Sequence, residues 1–255
     1  MREEKVALKQ EIAAIWDQCG EVYDNDYAHG LKSPGEKQAW LDLLDSLVDK
    51  KPSDILDVGA GTGFLSLLFC ELGHRCKGID LLEGMLAQAR KKAEAQGVTP
   101  VFAIGDAENL KEPDAVYDVV VNRHLVWTLP HPEQAVREWL RVLKPGGKLI
   151  VIDGDWYYDS LKNKIKVFLG KCIISLTERR NAFAGVGTYD DALVAKLPMM
   201  KSENAKQLVA LVEGMGIAVE TRSATQIELA EKRVMSLGYR LKNPYKRTVI
   251  VGTKS

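Results

Sequence analysis

Apolar positions follow two different periods along the chain. From Leu8 through Ile12, Ile15, Trp16 and Cys19, and again from Trp40 through Leu43, Leu44, Leu47 and Val48, they recur every three or four residues. That is the stripe of an amphipathic helix, so residues 1–50 read as a helical N-terminal cap. Between the two stripes, Pro34 and Gly35 in LKSPGEK read as a turn. The pattern then changes. Short apolar runs (Ile55–Val58, RCKGID ending at Asp80, PVFAIGD ending near Asp106, Tyr117–Arg123 and KLIVID) alternate with amphipathic stretches. Runs of this kind separated by helices predict βαβ units around a parallel sheet buried on both faces. KPGG, ahead of the fifth run, reads as a turn, and Gly97 suits the end of the helix before the third. The predicted fold class for 51–155 is α/β, doubly wound.

The alternation stops at 156–200. LKNKIKVFLGKCIISLTERR places Leu161, Ile165, Phe168, Leu169, Cys172, Ile173 and Leu176 on one helical face. Trp156 to Arg180 holds six basic residues against two acidic ones, a local balance of +4. A basic amphipathic helix can lie on a membrane surface. The reading adopted is a lid or substrate insertion with a solvated face. NAFAGVGTYDDALVAKLPMM then reads as a loop and a short helix. Residues 201–255 supply a glycine-capped helix, ENAKQLVALVEGMG, and two strands, IAVETRSA and RTVIVGTKS. The late strand pair points to a seven-stranded, mostly parallel sheet whose last strand inserts antiparallel.

Composition narrows the function classes. Lysine plus arginine equals aspartate plus glutamate at 35 each, which argues against nucleic-acid binding. Cys19, Cys70, Cys76 and Cys172 have no CxxC or metal-ligand spacing and read as buried thiols of a reducing compartment. The charged N-terminus is unlike a secretory signal, and no apolar run approaches the length of a membrane span. The expectation is a soluble cytoplasmic protein with no bound metal.

The densest chemical signal is ILDVGAGTGFLSLLF. A strand ends in a turn with Gly59, Ala60, Gly61 and Gly63, and a helix follows. Glycines there let a ligand approach the main chain, and the helix N-terminus offers unpaired N–H groups. Asp80, 21 residues beyond Gly59, ends the next strand, where a carboxylate can accept both hydroxyls of a ribose. A nicotinamide dinucleotide and an adenosyl ligand both satisfy that pair. Two features favour the second. Phe64 stands where the dinucleotide fingerprint needs its third glycine. GDAENL then places Asp106 to bind an adenine amino group, with Ala107 beside the ring.

LDVGAGTGF, GIDLLEGML, GDAENL, YDVVVNRHLVWTLPHPEQAVREWLRVLKPGGKLIV and the closing strand pair, in that order, resemble the class I S-adenosylmethionine-dependent methyltransferases. Within them the chain is similar to the type 11 small-molecule group that includes the ubiquinone/menaquinone biosynthesis enzymes. The resemblance implies that Asp57 and the Gly59–Gly61 backbone hold the methionine end of the cofactor, Asp57 being otherwise a helix cap. It implies that Asp80 takes the ribose and that Leu81 and Met85 pack on the adenine, Met85 being otherwise a core residue. Asp106 with Ala107 would read the adenine edge, and the Asn122 carbonyl would meet the amino group. Tyr23 and Tyr27 would be lid aromatics over the cofactor.

The reaction implied is methyl transfer to a small-molecule acceptor by in-line displacement. An activated sulfonium methyl needs alignment and exclusion of water more than a triad. His124 and His29 are the candidate bases, His124 being otherwise a pocket wall. Arg123 is a candidate anchor for an anionic group or a structural ion pair, and His131 a turn residue. Trp127 and Trp156 at the rim would favour an apolar or aromatic acceptor. Asn122-Arg123-His124-Leu125 replaces the Asn/Asp-Pro-Pro-Tyr/Phe of enzymes that methylate adenine in DNA or glutamine in protein, and no Pro-Cys nucleophile is present. The alternatives are protein or RNA methylation and a non-catalytic, cofactor-binding regulatory module.

Overall fold

The computed structural model describes residues 2–17, 23–27, 29–49, 51–154, 160–179, 181–183, 189–200, 203–243 and 246–255. Cys19 and Trp156 lie outside the described residues. Helices α1 (Arg2–Asp17) and α2 (Pro34–Leu47) precede strand β1 (Asp54–Val58). There follow α3 (Phe64–Glu71), β2 (Arg75–Asp80), α4 (Glu83–Gln96), β3 (Val101–Ile104), β4 (Tyr117–Arg123), α5 (Pro132–Val142) and β5 (Leu143–Gly154). Then come α6 (Leu161–Glu178), α7 (Asp191–Val194), α8 (Asn204–Glu213), β6 (Ala218–Ser223), α9 (Thr225–Val234), α10 (Leu237–Lys242) and β7 (Arg247–Thr253).

The sheet runs β3-β2-β1-β4-β5-β7-β6. The first five strands are parallel, and β7 inserts antiparallel to both β5 and β6, as the late strand pair predicts. Strand side chains alternate between two cores. Leu56, Val58, Val120, Val151 and Ile250 pack with α5 and α8 around Trp139. Ile55, Val119, Val121, Ile150 and Val251 pack with α2, α3 and α9 around Trp40 and Phe69. Both faces are thus dry, which is why the strands read as unbroken apolar runs.

Two turn readings are corrected. Pro34 and Gly35 open α2 instead of preceding it. Ser33 is the N-cap, its hydroxyl accepting the Glu36 N–H at 3.1 Å, and Pro34 sits in the first turn, where a missing N–H costs nothing. KPGG lies within β5, where it bulges: Tyr117 pairs with Leu143, but Val119 pairs with Lys148. Helices α9 and α10 are absent from the sequence-based reading altogether.

Glu36 reaches back to accept the Lys32 N–H at 2.9 Å. Burial pushes its carboxyl up to about 7, opposed by that N–H and reinforced by Glu231. The folded value lies above the ordinary 4.5, so stability from this group is complete below that pH and lost as pH rises through 7. Glu36→Gln keeps an acceptor for Lys32 and cannot ionise. Its melting temperature is expected to match the wild type at pH 4 and to exceed it at pH 8 by at least about 2–4 °C. Thermal melts by circular dichroism at the two pH values check this; an equal shift at both would exclude ionisation as the cause.

Candidate active site

The chain runs outward from β1 to β3 and then crosses back to β4, so β1 and β4 diverge at a topological switch point. Open α/β sheets bind ligands in the crevice at such a point. Here a solvent-open cavity occupies it, with about 880 Å³ of empty space including its open mouth, walled by the loops after β1, β2, β3 and β4 and by α1.

The glycines of the β1 loop have separate jobs. All three have positive φ. A Cβ on Gly59 would meet Leu125 Cδ1 at 2.8 Å, so this glycine lets the β4 loop close against β1. A Cβ on Gly61 would meet nothing within 4 Å: its bare backbone faces the cavity. On Gly63 it would overlap both Ala89 Cβ and Phe102 Cζ at 2.9 Å. Gly63 therefore permits packing of α3 against α4 and β3, away from the cavity wall. Ala60 donates its N–H to Ile79 O at 2.9 Å, stitching the loop to β2, and is likewise off the wall.

Gly63 has no side chain to cap α3, and Asp57 does that from the strand. Its Oδ2 accepts the Ser66 N–H at 3.0 Å and the Ser66 hydroxyl at 2.6 Å. Burial holds the Asp57 carboxyl up to about 6 against these two bonds. It is a buried cap and does not reach the cavity.

Asp80 does reach it. Its Oδ2 accepts the Gly61 N–H at 2.8 Å and its Oδ1 the Leu82 N–H at 3.0 Å. Burial raises its pKa, opposed by these N–H groups. Each oxygen spends one lone pair on the main chain, leaving capacity for further donors from the cavity. Leu81, Met85, Asp106 and Ala107 line the same cavity. These residues, expected around an adenosine, thus share one cavity.

Arg123, His124 and Thr128 also line it. The Arg123 guanidinium stacks 3.7 Å from the Phe64 ring centre and donates to His29 O at 2.9 Å. Burial lowers its pKa, and the nearby charge of Arg247 adds to the effect. His124 sits at φ +58, an uncommon conformation for a residue with a Cβ. Burial, Arg123 and Arg247 hold it well below the ordinary histidine value, so the ring is neutral at pH 7.

Besides Asp57, Ala60 and Gly63, four further expected residues lie off the wall. His29 stacks on Tyr23 at 4.1 Å, with its ring 5.9 Å from that of His124, and burial lowers its pKa to about 4. Tyr27 packs on Tyr239 at 4.6 Å, away from the cavity, although Tyr23 lines it. Asn122 is wholly buried in β4, and its side-chain amide makes no hydrogen bond among the described residues. Trp127 packs against Trp16 in an aromatic cluster with Tyr189.

The sequence reading missed Lys9 and Glu108. Lys9 of α1 donates to both Asp106 oxygens, at 2.9 and 2.7 Å, and pairs with Glu108 at 2.8 Å. Buried Glu108 also accepts the His131 N–H at 2.6 Å, at the N-cap of α5. Despite burial, the two carboxylates raise the Lys9 pKa. Lys9 thereby fastens α1 to the loop after β3, and Trp16, bonded through Nε1 to Tyr189 OH at 2.6 Å, fastens the other end of the helix. A lysine on an amphipathic helix gives no sequence signal for this. Lys9→Met is expected to accelerate hydrogen exchange of the α1 amides by about 10-fold, the equivalent of ~1.4 kcal/mol. Mass-resolved exchange checks it; unchanged α1 protection would mean that Lys9 does not hold the helix.

The sheet order and the switch-point cavity define an α/β domain of the Rossmann-like nucleoside-binding class. A methyltransferase domain family matches residues 56–151. A phosphatidylethanolamine N-methyltransferase of Cereibacter sphaeroides is 35% identical over 136 residues, 52% of this chain and 63% of that protein. Less than two thirds of that relative is therefore matched. The ubiquinone/menaquinone biosynthesis C-methyltransferase UbiE of Paraburkholderia phytofirmans is 30% identical over 174 residues, 67% of this chain and 71% of that protein. Among solved structures, Haemonchus contortus phosphoethanolamine N-methyltransferase 2, in complex with phosphomonomethylethanolamine and S-adenosylhomocysteine, superposes with a TM-score of 0.65. It is 17% identical, with 95% of this chain and 60% of that chain covered, a likeness of fold. The chain belongs to the class I S-adenosylmethionine-dependent methyltransferases, of the type 11 group, and its cofactor is S-adenosylmethionine.

Proposed function

We propose that the protein is a cytoplasmic enzyme that transfers a methyl group from S-adenosylmethionine to an apolar or aromatic small molecule. The observation that carries this reading is the single cavity in which the Asp80 carboxylate and the bare Gly61 backbone share a wall with Arg123 and His124. The fit to the cofactor rests on chemistry already in place. Asp80 retains acceptor capacity for a ribose, Gly61 leaves room for a close approach, and Leu81 and Met85 offer an apolar slot for a base.

When bound, the cofactor supplies a methyl group already activated by the sulfonium. The chain then has to orient the acceptor and exclude water. Trp16 and Ile12 of α1, together with Tyr23, cover the cavity with apolar surface. Neutral His124 forms part of the cavity wall against which an acceptor hydroxyl or amine would lie. Its depressed pKa makes it a poor store for the proton. His29, off the wall and held neutral by burial, backs Tyr23. The segments 1–50, 156–200 and 201–255 would act as cap, substrate insertion and sheet closure around the 51–155 core. Cys70, Cys76 and Cys172 are free thiols, in keeping with a reducing compartment.

Calorimetry with S-adenosylhomocysteine, with NADH as control, tests the cofactor half. Transfer of labelled methyl to a panel of phenols, reduced quinones and ethanolamine lipids tests the acceptor half. Transfer to an aromatic hydroxyl or ring carbon is expected; binding of NADH instead, or transfer only to protein or RNA, would sink the reading.

A further inference from the structure

Helix α6 is inverted relative to an ordinary surface helix. At about 100° per residue, Leu161, Ile165, Phe168, Leu169, Cys172 and Leu176 fall within an arc of about 100°. That arc faces solvent: Leu161 is 72% exposed, Phe168 58% and Leu176 80%. The opposite face carries Gly170 and Ile174, both buried. It is fixed against α10: a Cβ on Gly170 would lie 2.5 Å from Lys242 N, and one on Gly238 2.8 Å from Ile174 Cγ1. This close crossing sets the rotation of α6 and commits its apolar stripe outward. Phe183, also exposed, widens the stripe, its ring 5.6 Å from that of Phe168. A contiguous exposed apolar stripe of this kind marks an interaction surface.

The charges identify the partner. Lys162 and Lys166 border the stripe on one side, Lys164 and Lys171 on the other, and the helix holds a single acidic residue, Glu178, at its end. Lysines at both borders of an apolar stripe can lay their stems along hydrocarbon while their ammonium groups reach lipid headgroups. Two copies of this face would oppose four lysines to four lysines. Among the described residues no helix is long and apolar enough to cross a membrane, so contact would lie in the plane of the surface.

We propose that α6 docks the protein on an anionic lipid surface, with its apolar stripe entering the acyl boundary and its flanking lysines meeting the headgroups. The docking element is tied to the cavity. Glu178 accepts the Tyr239 hydroxyl at 3.1 Å, and Tyr239 packs on Tyr27, in the segment that carries Tyr23. Docking itself does not depend on the methyltransferase reading.

Vesicle co-sedimentation of the full chain is the test, using phosphatidylcholine alone and phosphatidylcholine with one-third phosphatidylglycerol. Binding at least about 10-fold tighter to the anionic vesicles, and weaker with added salt, is expected. Ile165→Asp with Phe168→Asp should abolish it, and glutamine at Lys162, Lys164, Lys166 and Lys171 should erase the preference for anionic lipid. Circular dichroism melts control for folding; these side chains are exposed, so unchanged melts are expected. Absent binding to the anionic vesicles, or equal binding by the aspartate variant, overturns the proposal. So does a lipid-free dimer that the aspartate variant converts to monomer, which would make the stripe a self-association face.

Discussion

Asp80→Ala is expected to weaken S-adenosylhomocysteine binding by about 100-fold or more while leaving the melting temperature of the free protein within a few degrees. Two losses combine. On the proposed function the carboxylate would no longer meet the ribose, and hydrogen bonds to a charged group contribute roughly 1.5–3 kcal/mol each. In addition, the Gly61 N–H, which donates to Asp80 at 2.8 Å, is released, so the β1 loop loses one of its two ties to β2 and keeps the Ala60–Ile79 bond. Asp80→Asn separates the two effects. Its single amide oxygen can accept only part of what the carboxylate accepts, so its affinity should fall between the wild type and the alanine variant. Titration calorimetry on the three proteins decides the matter. Equal affinity in all three would remove Asp80 from the site and leave it as a loop tether.

How much of this was legible in the sequence depends on what each residue faces. β2 and β4 have the bounds read from the sequence: β4 is buried through its middle, and β2 alternates buried Cys76, Gly78 and Ile79 with more exposed Arg75 and Lys77. α9 gave no such signal. Its inward face carries Glu228 and Glu231 beside Ile227 and Ala230, so an apolar stripe is missing. The partner that makes those glutamates tolerable, Arg247, is 16 and more residues further on and cannot be seen in a local pattern. Within the site, Gly59, Gly61, Asp80, Leu81, Met85, Asp106, Ala107 and His124 converge on one cavity. All but Met85, which sits in the first turn of α4, follow a strand end, a position that sequence spacing encodes. Gly63 and Asp57 share that position but point away, because the helix start needed room and a cap more than it needed a ligand. Lys9 and Glu108 form their contact across 99 residues, beyond the reach of any local rule.

Glu231→Ala should be the most damaging single substitution to stability in this region. Arg247 is buried at the start of β7, with its guanidinium nitrogens 2.7 Å from both Glu231 oxygens and its N–H 2.8 Å from Glu228. Both side chains of the pair are almost fully removed from water. Removing one partner leaves a buried charge uncompensated, which costs about 3–5 kcal/mol. For a chain of this size that lowers the melting temperature by about 10 °C. The double replacement Glu231→Leu with Arg247→Met should recover most of the loss, since desolvation of both charges disappears together. The same pair reaches the cavity through electrostatics. Arg247 is one of the charges that hold His124 well below the ordinary histidine value, after burial and Arg123. In the double variant that repulsion is gone, so the His124 pKa should rise while the fold persists. Imidazole proton titration by NMR on the double variant reads the shift directly. A recovered melting temperature with an unmoved His124 would mean that burial and Arg123 alone keep this ring neutral.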